Sequence, residues 1–276
     1  MLHEDIVEAT VAILKAAETV LPAWVVELID RASRKERNPI AKYHLDAILK
    51  NIEIAKAEGL PICQDTGIPI FYLEIDRDLD INFDIHKAVS EGVMIATKEV
   101  PMRPNVVDPL SRINTSNNTG RGIPHIITEF MERDGLRITA FPKGAGSENA
   151  SAGCMLNPAD DPLDYVIDLV AGRGKMACPP LFVGVGIGGS FDLAPHLAKK
   201  ALLKMPGSSK MEIDLLMRLN RLGVGPMGLG GDTTALGVKI ETAFCHTASL
   251  PVAVNFQCWA NRQASAVILE DGWSID

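Results

Sequence analysis

The sequence contains five cysteines, the residue type in this chain with the most possible chemical roles. No two of them form a Cys-x-x-Cys pair, which argues against a zinc ribbon and against thioredoxin-like redox chemistry. Disulfides are rare in a reducing compartment, so metal binding, catalysis or simple burial must account for these thiols. Burial is the default for a free cysteine. A metal site assembled from distant segments remains open.

Three of the cysteines have polar or turn-forming neighbours. Cys63 opens Cys-Gln-Asp-Thr-Gly, Cys178 opens Cys-Pro-Pro, and Cys258 lies in Asn-Phe-Gln-Cys-Trp-Ala-Asn-Arg. Cys154 lies between Gly153 and Met155, and Cys245 follows Phe244, so we expect both to be small buried hydrophobes.

Four further features could contact an anionic substrate. Arg103 and Arg121 could each pair with a carboxylate through a forked guanidinium, although either alone is more often a surface residue. The segment Lys143-Gly-Ala-Gly-Ser147 is not a P-loop, but its backbone N–H groups and lysine could bind a carboxylate, or it could be an ordinary turn. His246 could be catalytic, although a lone histidine is more often structural.

A glycine motif formed by Gly184, Gly186 and Gly189 follows the G-x-G-x-x-G pattern of dinucleotide-binding turns. It lies between a predicted buried strand and a predicted helix. The acidic strand end expected about 20 residues later is missing, because the chain there reads Lys-Met-Pro-Gly-Ser-Ser-Lys. An NAD-dependent dehydrogenase is therefore a minor alternative to a turn that needs glycine for close packing.

The elements that must position these residues predict an α/β fold, with a mixed β-sheet core flanked by helices. Apolar residues at helical spacing predict an N-terminal helical layer over residues 1–59. Strands and helices then mix over residues 60–276, which predicts one catalytic domain spanning residues 1–276. Residues 123–142 alternate around Arg-Asp-Gly, a pattern that favours a β-hairpin.

Composition limits the classes of partner. The net charge of −8 and the absence of a marked basic block argue against a nucleic-acid partner. No apolar run approaches the roughly 20 residues of a membrane helix. The acidic N-terminus lacks the features of a secretory signal, so we expect a cytoplasmic protein with no membrane partner.

Five motifs in one order resemble a known family: Cys-Gln-Asp-Thr-Gly, Asn-Thr-Gly-Arg-Gly-Ile-Pro, Lys-Gly-Ala-Gly-Ser-Glu-Asn, Ala-Cys-Pro-Pro and the region of Cys258. From about residue 5 to residue 272 the chain is similar to the α subunit of class I fumarate hydratase and L-tartrate dehydratase. The resemblance implies a hydro-lyase that hydrates fumarate to (S)-malate, a tricarboxylic acid cycle reaction, with tartrate dehydration as the alternative. A non-catalytic iron–sulfur sensor is a more distant alternative.

The resemblance also implies a [4Fe–4S] cluster held by Cys63, Cys178 and Cys258. Three thiolates leave one iron open to act as a Lewis acid toward a C4-dicarboxylate substrate.

Family positions map substrate contacts to Gln64, Asp65, Arg103 and Gly146, and a catalytic role to His246. Asp65 would either bond the substrate or orient His246.

Single-chain family members continue into a second domain that carries the presumed base. The resemblance therefore implies a separate β subunit that completes the active site, in an α2β2 heterotetramer.

Overall fold

The computed structural model describes residues 3–132, 134–270 and 272–276. Its helices are α1 (His3–Thr19), α2 (Ala23–Lys35), α3 (Pro39–Glu58), α4 (Ile85–Glu99), α5 (Ala145–Ala150), α6 (Pro162–Arg173), α7 (Leu193–Ala201) and α8 (Lys210–Asn220). Its strands are β1 (Ile70–Asp76), β2 (His125–Met131), β3 (Leu136–Ala140), β4 (Ala152–Leu156), β5 (Leu181–Ile187), β6 (Ala235–Thr242), β7 (Leu250–Gln257), β8 (Ala264–Leu269) and β9 (Gly272–Ile275). The predicted α/β class is confirmed.

The chain divides into two compact units that alternate along the sequence. The first unit contains residues 1–22, 51–144 and 262–276, and the second contains residues 23–50 and 145–261. The predicted N-terminal helices are shared between them, because α1 belongs to the first unit and α2 to the second. The expectation of a single catalytic domain stays a prediction.

The first unit is built on a five-stranded mixed sheet in the order β2-β1-β3-β8-β9. Helices α1 and α4 pack against each other, and α1 also packs on β8 and β9. The apolar stripe of α1, including Ile6 and Ile13, is fully buried with Phe71 and Leu73 of β1 and Ile138 of β3. Burial of this stripe is the main force that holds α1 on the sheet.

The predicted hairpin between residues 123 and 142 is wrong. β2 pairs with β1 in parallel, and β3 pairs with β1 antiparallel, so β1 lies between the two segments. Burial explains the order, since β1 is mostly buried and takes an interior position, whereas β2 is largely exposed and lies at the edge. Residue 133 of the expected turn lies outside the described residues.

The second unit is built on a four-stranded sheet in the order β4-β7-β5-β6. The two interior strands, β5 and β7, are almost wholly buried. Helix α7 packs on these two strands, while α8 packs on β6 and on α6. β5 and β6 are parallel, so their carboxyl ends meet at one edge of the sheet.

The glycine motif after β5 serves close packing of helix on sheet. A Cβ atom at Gly184 would lie 2.1 Å from the carbonyl oxygen of Ala198, and one at Gly186 would lie 2.1 Å from that of Ala194. Both carbonyls belong to α7, so any larger residue would force the helix away from β5. This geometry supports the packing interpretation of the motif.

One stretch, His3–Lys35, is long and apolar enough by length and composition to cross a membrane, with a mean hydropathy of 1.5 over its best window. Half of that window is buried in the protein. The stretch consists of α1 and α2, and the apolar side chains of α1 belong to the core of the first unit. A buried core helix passes the same test, so the absence of a membrane partner stays a prediction.

Candidate active site

The three cysteines that the resemblance selects lie in both units. Cys63 belongs to the first unit, and Cys178 and Cys258 belong to the second. Cys178 is exposed, and the other two are half-buried. In the described part of the chain, no three His, Cys, Asp or Glu side chains gather as ligands of a single metal ion. A cluster has a different requirement, because each thiolate ligates its own iron.

The loop that carries Cys63 is fixed through its backbone on both sides. The N–H of Ile62 donates to the carbonyl of Glu18 at 2.8 Å, and Asn51 Nδ2 donates to the carbonyl of Ile62 at 2.9 Å. On the other side, the N–H of Asp65 points at Cys63 Sγ, 3.4 Å away. Hydrogen bonds to sulfur tune iron–sulfur clusters, so this surrounding fits a cluster ligand.

Cys178 follows a short 3₁₀ turn and has a left-handed backbone conformation, with φ 51°. Non-glycine residues adopt this conformation at a cost of roughly 1–2 kcal/mol, and such residues concentrate at functional sites. Cys178 is also exposed, so a cluster could take its thiolate as a ligand. The next residue is held in place, since Pro179 accepts the N–H of Met227 at 2.8 Å.

Met227 belongs to a glycine-rich loop, residues 223–231. The two residues that follow this loop are bound by one buried carboxylate. Glu36, at the end of α2, accepts the N–H groups of Asp232 at 2.9 Å and Thr233 at 3.2 Å. A carboxylate that takes several backbone donors is a strong anchor. This glycine-rich loop therefore supports the backbone beside Cys178.

Cys258 directly follows β7, and its position is tied to the predicted substrate contact at Gly146. Gln257 donates to the carbonyl of Ala260 at 3.3 Å and accepts the hydroxyl of Ser147 at 3.2 Å. A Cβ atom at Gly146 would lie 3.2 Å from the carbonyl oxygen of Met176, two residues before Cys178. The second unit thus brings Gly146 together with the backbone segments that carry both of its predicted cluster ligands.

In the first unit, the backbone at Arg103 is joined to the Cys63 motif. The N–H of Arg103 donates to Thr66 Oγ1 at 3.1 Å, and its carbonyl accepts Asn118 Nδ2 at 2.9 Å. The Arg103 side chain is exposed, as is that of Gln64. Arg103 and Gln64 are thus both accessible to a dicarboxylate, and the backbone of Arg103 is bonded to the motif that contains Gln64.

Asn118 organises the polar loop that leads to Arg103, a role that the sequence did not reveal. It is fully buried with φ 58°, a conformation that asparagine tolerates better than most residues. Its Oδ1 accepts the N–H of Asn105 at 2.7 Å, and Asn105 in turn donates to the carbonyl of Gly67 at 3.0 Å. The signal available in the sequence was the asparagine-rich composition of the loop.

A buried ion pair close to Asp65 was also missed. Arg262 Nη1 donates to Glu18 Oε2 at 2.6 Å, and the two side chains are 2% and 0% exposed. Burial raises the pKa of Glu18 to about 7; Arg262 acts in the opposite direction, and the charge of Asp65 adds to the rise. Contacts between residues so distant in sequence leave no local pattern.

His246 lies in the exposed loop between β6 and β7. Its Nδ1 accepts the N–H of Ala248 at 3.1 Å, and its carbonyl accepts the N–H of Ser249 at 3.0 Å. Because Nδ1 acts as an acceptor here, the neutral ring carries its proton on Nε2. The imidazole can therefore present an N–H donor to a substrate.

The two cysteines outside the predicted ligand set behave differently from each other. Cys154 on β4 is half-buried, and burial raises the pKa of its thiol, while a hydrogen bond with Tyr165 lowers it. Cys245 is exposed, so the expectation that it is a buried hydrophobe is wrong. The reason is its loop, in which the neighbouring Phe244 is fully exposed as well.

Comparison with known proteins places these features in context. The family model for fumarate hydratase (Fumerase) matches residues 7–267. A putative L(+)-tartrate dehydratase subunit alpha from Methanocaldococcus jannaschii is 46% identical over 272 residues, which cover 93% of this chain and 95% of that protein. The L(+)-tartrate dehydratase subunit alpha of Escherichia coli K12 is 30% identical over 264 residues, covering 92% of this chain and 87% of that protein.

Proposed function

This chain belongs to the fumarate hydratase (Fumerase) family, and on that premise we propose that it is the α subunit of an L(+)-tartrate dehydratase. Membership makes it a hydro-lyase subunit. The observation that carries the choice of tartrate is the 46% identity, over nearly the whole of both chains, to a relative named for that reaction. The sequence motifs alone had favoured fumarate.

Fumarate hydration is the second candidate, because the matching family model is described by that activity. The two reactions share their chemistry, since dehydration of tartrate and of malate, the reverse of fumarate hydration, each removes a hydroxyl from one carbon and a proton from the next carbon of a C4-dicarboxylate. Tartrate carries one hydroxyl more than malate. A site built to hydrogen-bond that hydroxyl discriminates strongly against a substrate that lacks it.

We propose Cys63, Cys178 and Cys258 as the ligands of a [4Fe–4S] cluster. The donor set supports this, since an N–H group points at Cys63 Sγ and Cys178, which has a left-handed backbone, is exposed. When bound, such a cluster supplies Lewis-acid chemistry that weakens the C–OH bond of the substrate.

The other residues bind substrate and hold protons. Arg103, exposed beside the Cys63 motif, is suited to a forked pair with one carboxylate. Gly146 lets its backbone N–H approach the substrate without a side chain in the way. His246 presents Nε2–H, which can donate a hydrogen bond to the substrate hydroxyl, and Asp65 contacts the substrate from the Cys63 loop.

The names of the relatives imply a partner, because both are called subunit alpha. We propose a separate β subunit that supplies the base for carbon deprotonation, in an α2β2 assembly in the cytoplasm. The glycines of the dinucleotide-like motif have a packing role, which removes the main argument for a dehydrogenase.

The test is an anaerobic assay of the chain co-purified with its β subunit on L(+)-tartrate, (S)-malate and fumarate in parallel. We expect L(+)-tartrate to give oxaloacetate with the highest kcat/KM. A preference for malate and fumarate would establish the second candidate instead. An iron-loaded complex that turned over none of the three would support the sensor and contradict the proposal.

A further inference from the structure

The buried pair of Arg262 and Glu18 belongs to no part of the proposed catalytic set. Both side chains are removed from water, and the removal of two charges from water costs several kcal/mol per ion. Replacement of such pairs by apolar residues is often neutral or stabilising, so stability alone is a weak reason to keep one. The groups around the pair therefore indicate its role better than its contribution to stability does.

The second terminal nitrogen of Arg262 and one carboxylate oxygen of Asp65 both lie close to Gly144. A Cβ atom built on Gly144 would lie 3.1 Å from Asp65 Oδ2 and 3.8 Å from Arg262 Nη2. The carboxylate and the guanidinium therefore border the same small space, which is open because residue 144 has no side chain. Arg262 has five N–H donors in a fixed fork and can serve one carboxylate on each side.

The other oxygen of Asp65 is engaged by its own loop. Asp65 Oδ1 accepts the N–H of Gly67 at 2.9 Å, and Asn105 Nδ2 lies 3.5 Å from the same oxygen. These contacts fix one edge of the carboxylate, while its other oxygen, Oδ2, lies beside Gly144.

Glu18 fixes the arrangement from behind. Its side chain holds Arg262 Nη1, while its carbonyl accepts the N–H of Ile62, the residue before Cys63. One buried residue at the end of α1 is thus bonded both to the backbone of the cysteine loop and to the arginine beside Asp65.

We propose that Arg262 is a positioning residue, which holds the Asp65 carboxylate in its substrate-facing orientation and is itself held by Glu18. The proposal deepens the proposed function, because it rests on the placement of Asp65 at the substrate. In this arrangement the guanidinium of Arg262 lies between the carboxyl groups of Glu18 and Asp65 in the first unit. The missing side chain of Gly144 leaves space for Arg262 and Asp65 to approach each other.

The test is a double-mutant cycle with Arg262→Lys and Asp65→Asn, measured in the complex with the β subunit. Lysine keeps the charge but loses the fork. Misplacement of a catalytic group by about 1 Å can cost about 100-fold in rate, so we expect Arg262→Lys to lower kcat/KM by 10- to 100-fold with unchanged iron per chain. In the Asp65→Asn background, the same change should lower residual turnover less than twofold, because its target is gone.

A second cycle on the folding equilibrium of the chain does not depend on turnover. Coupling between Arg262 and Asp65 should change the folding equilibrium constant at least tenfold, equivalent to about 1.4 kcal/mol. Additive effects in both cycles would overturn the proposal and leave the proposed function intact. A wild-type complex without turnover would instead overturn the proposed function, and the positioning role with it.

A third variant tests the proposal even if the Arg262 variants misfold. Gly144→Ala places a methyl group 3.1 Å from Asp65 Oδ2 but at an ordinary contact distance of 3.8 Å from Arg262 Nη2. It should lower kcat/KM about tenfold while leaving the iron content and the melting temperature near those of the wild type. Arg218→Lys, in an exposed pair with Asp164, is the matched control and should change none of these values. Full activity of Gly144→Ala would contradict the proposal.

Discussion

At the scale of single residues, the cysteines differ in the backbone that surrounds them. Cys63 receives an N–H at its sulfur, and Cys178 has a left-handed backbone conformation and is exposed. Cys154, by contrast, lies within a strand beside Tyr165, where burial raises the pKa of the thiol and disfavours the thiolate that iron requires.

Serine substitution at Cys63, Cys178 or Cys258 should therefore abolish retention of iron. Alanine at Cys154 or Cys245 should leave iron per chain unchanged. The measurement is iron content and visible absorbance of anaerobically purified protein. Loss of iron from either alanine variant would show that the ligand set is different.

Glu18 should make stability depend on pH. Its pKa is 4.5 in the unfolded chain and about 7 in the folded one, so the folded state binds more protons between these values. The resulting stability is fully present below about pH 4.5 and is lost as the pH rises through about 7. Relative to Glu18→Gln, the wild type should lose roughly 3 kcal/mol of unfolding free energy between about pH 4 and pH 8.

Denaturant unfolding of both proteins across this range measures the effect. A difference between them that stays constant with pH would contradict the raised pKa of Glu18.

The sequence allowed prediction of those site residues that lie inside short motifs. Cys63 and Asp65, for example, belong to one five-residue motif, Cys-Gln-Asp-Thr-Gly, which can be recognised without knowledge of the fold. Glu18 and Arg262 could not be found in this way, because they are 244 residues apart and only the folded chain brings them into contact.

At the scale of elements, α7 can pack closely on β5 because Gly184 and Gly186 of this strand have no side chains. Gly186→Ala would put a methyl group 2.1 Å from a carbonyl oxygen of the helix, so we expect a loss of about 1–3 kcal/mol or more. Gly172→Ala in α6 is the control, since no atom lies within 4 Å of the new methyl group. That change should stabilise the protein by about 0.5–1 kcal/mol, because alanine favours helix. Equal thermal shifts for the two variants would argue against close packing of α7 on β5.

Helix α8 is joined to β6 through one carboxylate. Although burial acts to raise the pKa of Glu212, hydrogen bonds from Ile240, Ser209 and Ser208, together with Lys239, lower it to about 2. Its contribution to stability is thus present above about pH 4.5 and is lost as the pH falls toward 2.

Glu212→Gln should cost roughly 2–3 kcal/mol at neutral pH, measured by denaturant unfolding. The control is Glu241→Gln on β6, which breaks a partly exposed pair with Lys204 and should cost at most about 1 kcal/mol. If Glu212→Gln cost no more stability than Glu241→Gln, Glu212 would not be an important link between α8 and β6.

Most long elements followed from apolar periodicity, whereas strand order did not. β1 and β3 are recognisable as separate strands, but the sequence between β2 and β3 also suits a hairpin, and only burial in the finished sheet makes β1 their common neighbour. Helix α5 and strands β4 and β9 are short, so their periodic signal is weak.

At the scale of the whole molecule, the predicted ligands and substrate contacts are shared between two interleaved units. Cys63, Asp65 and Arg103 belong to the first, while Cys178 and Cys258 belong to the second, together with Gly146 and His246. Each unit has its own sheet and its own apolar core.

A separate β subunit should be required for catalysis. General bases contribute about 10²- to 10⁴-fold, so the isolated chain should be slower than the complex by about this factor even when loaded with iron. Comparison of kcat for the chain with and without its partner measures the dependence. Full activity of the isolated chain would place the base within these 276 residues.

If this chain holds the iron of a hydro-lyase, turnover must depend on that iron, and one titration tests this dependence. The anaerobic complex is assayed for dehydration of L(+)-tartrate and (S)-malate while iron is removed stepwise by a chelator and then restored with iron and sulfide. We predict that turnover falls in proportion to bound iron and returns when iron is restored. Turnover that stayed constant as the iron was removed would contradict the account.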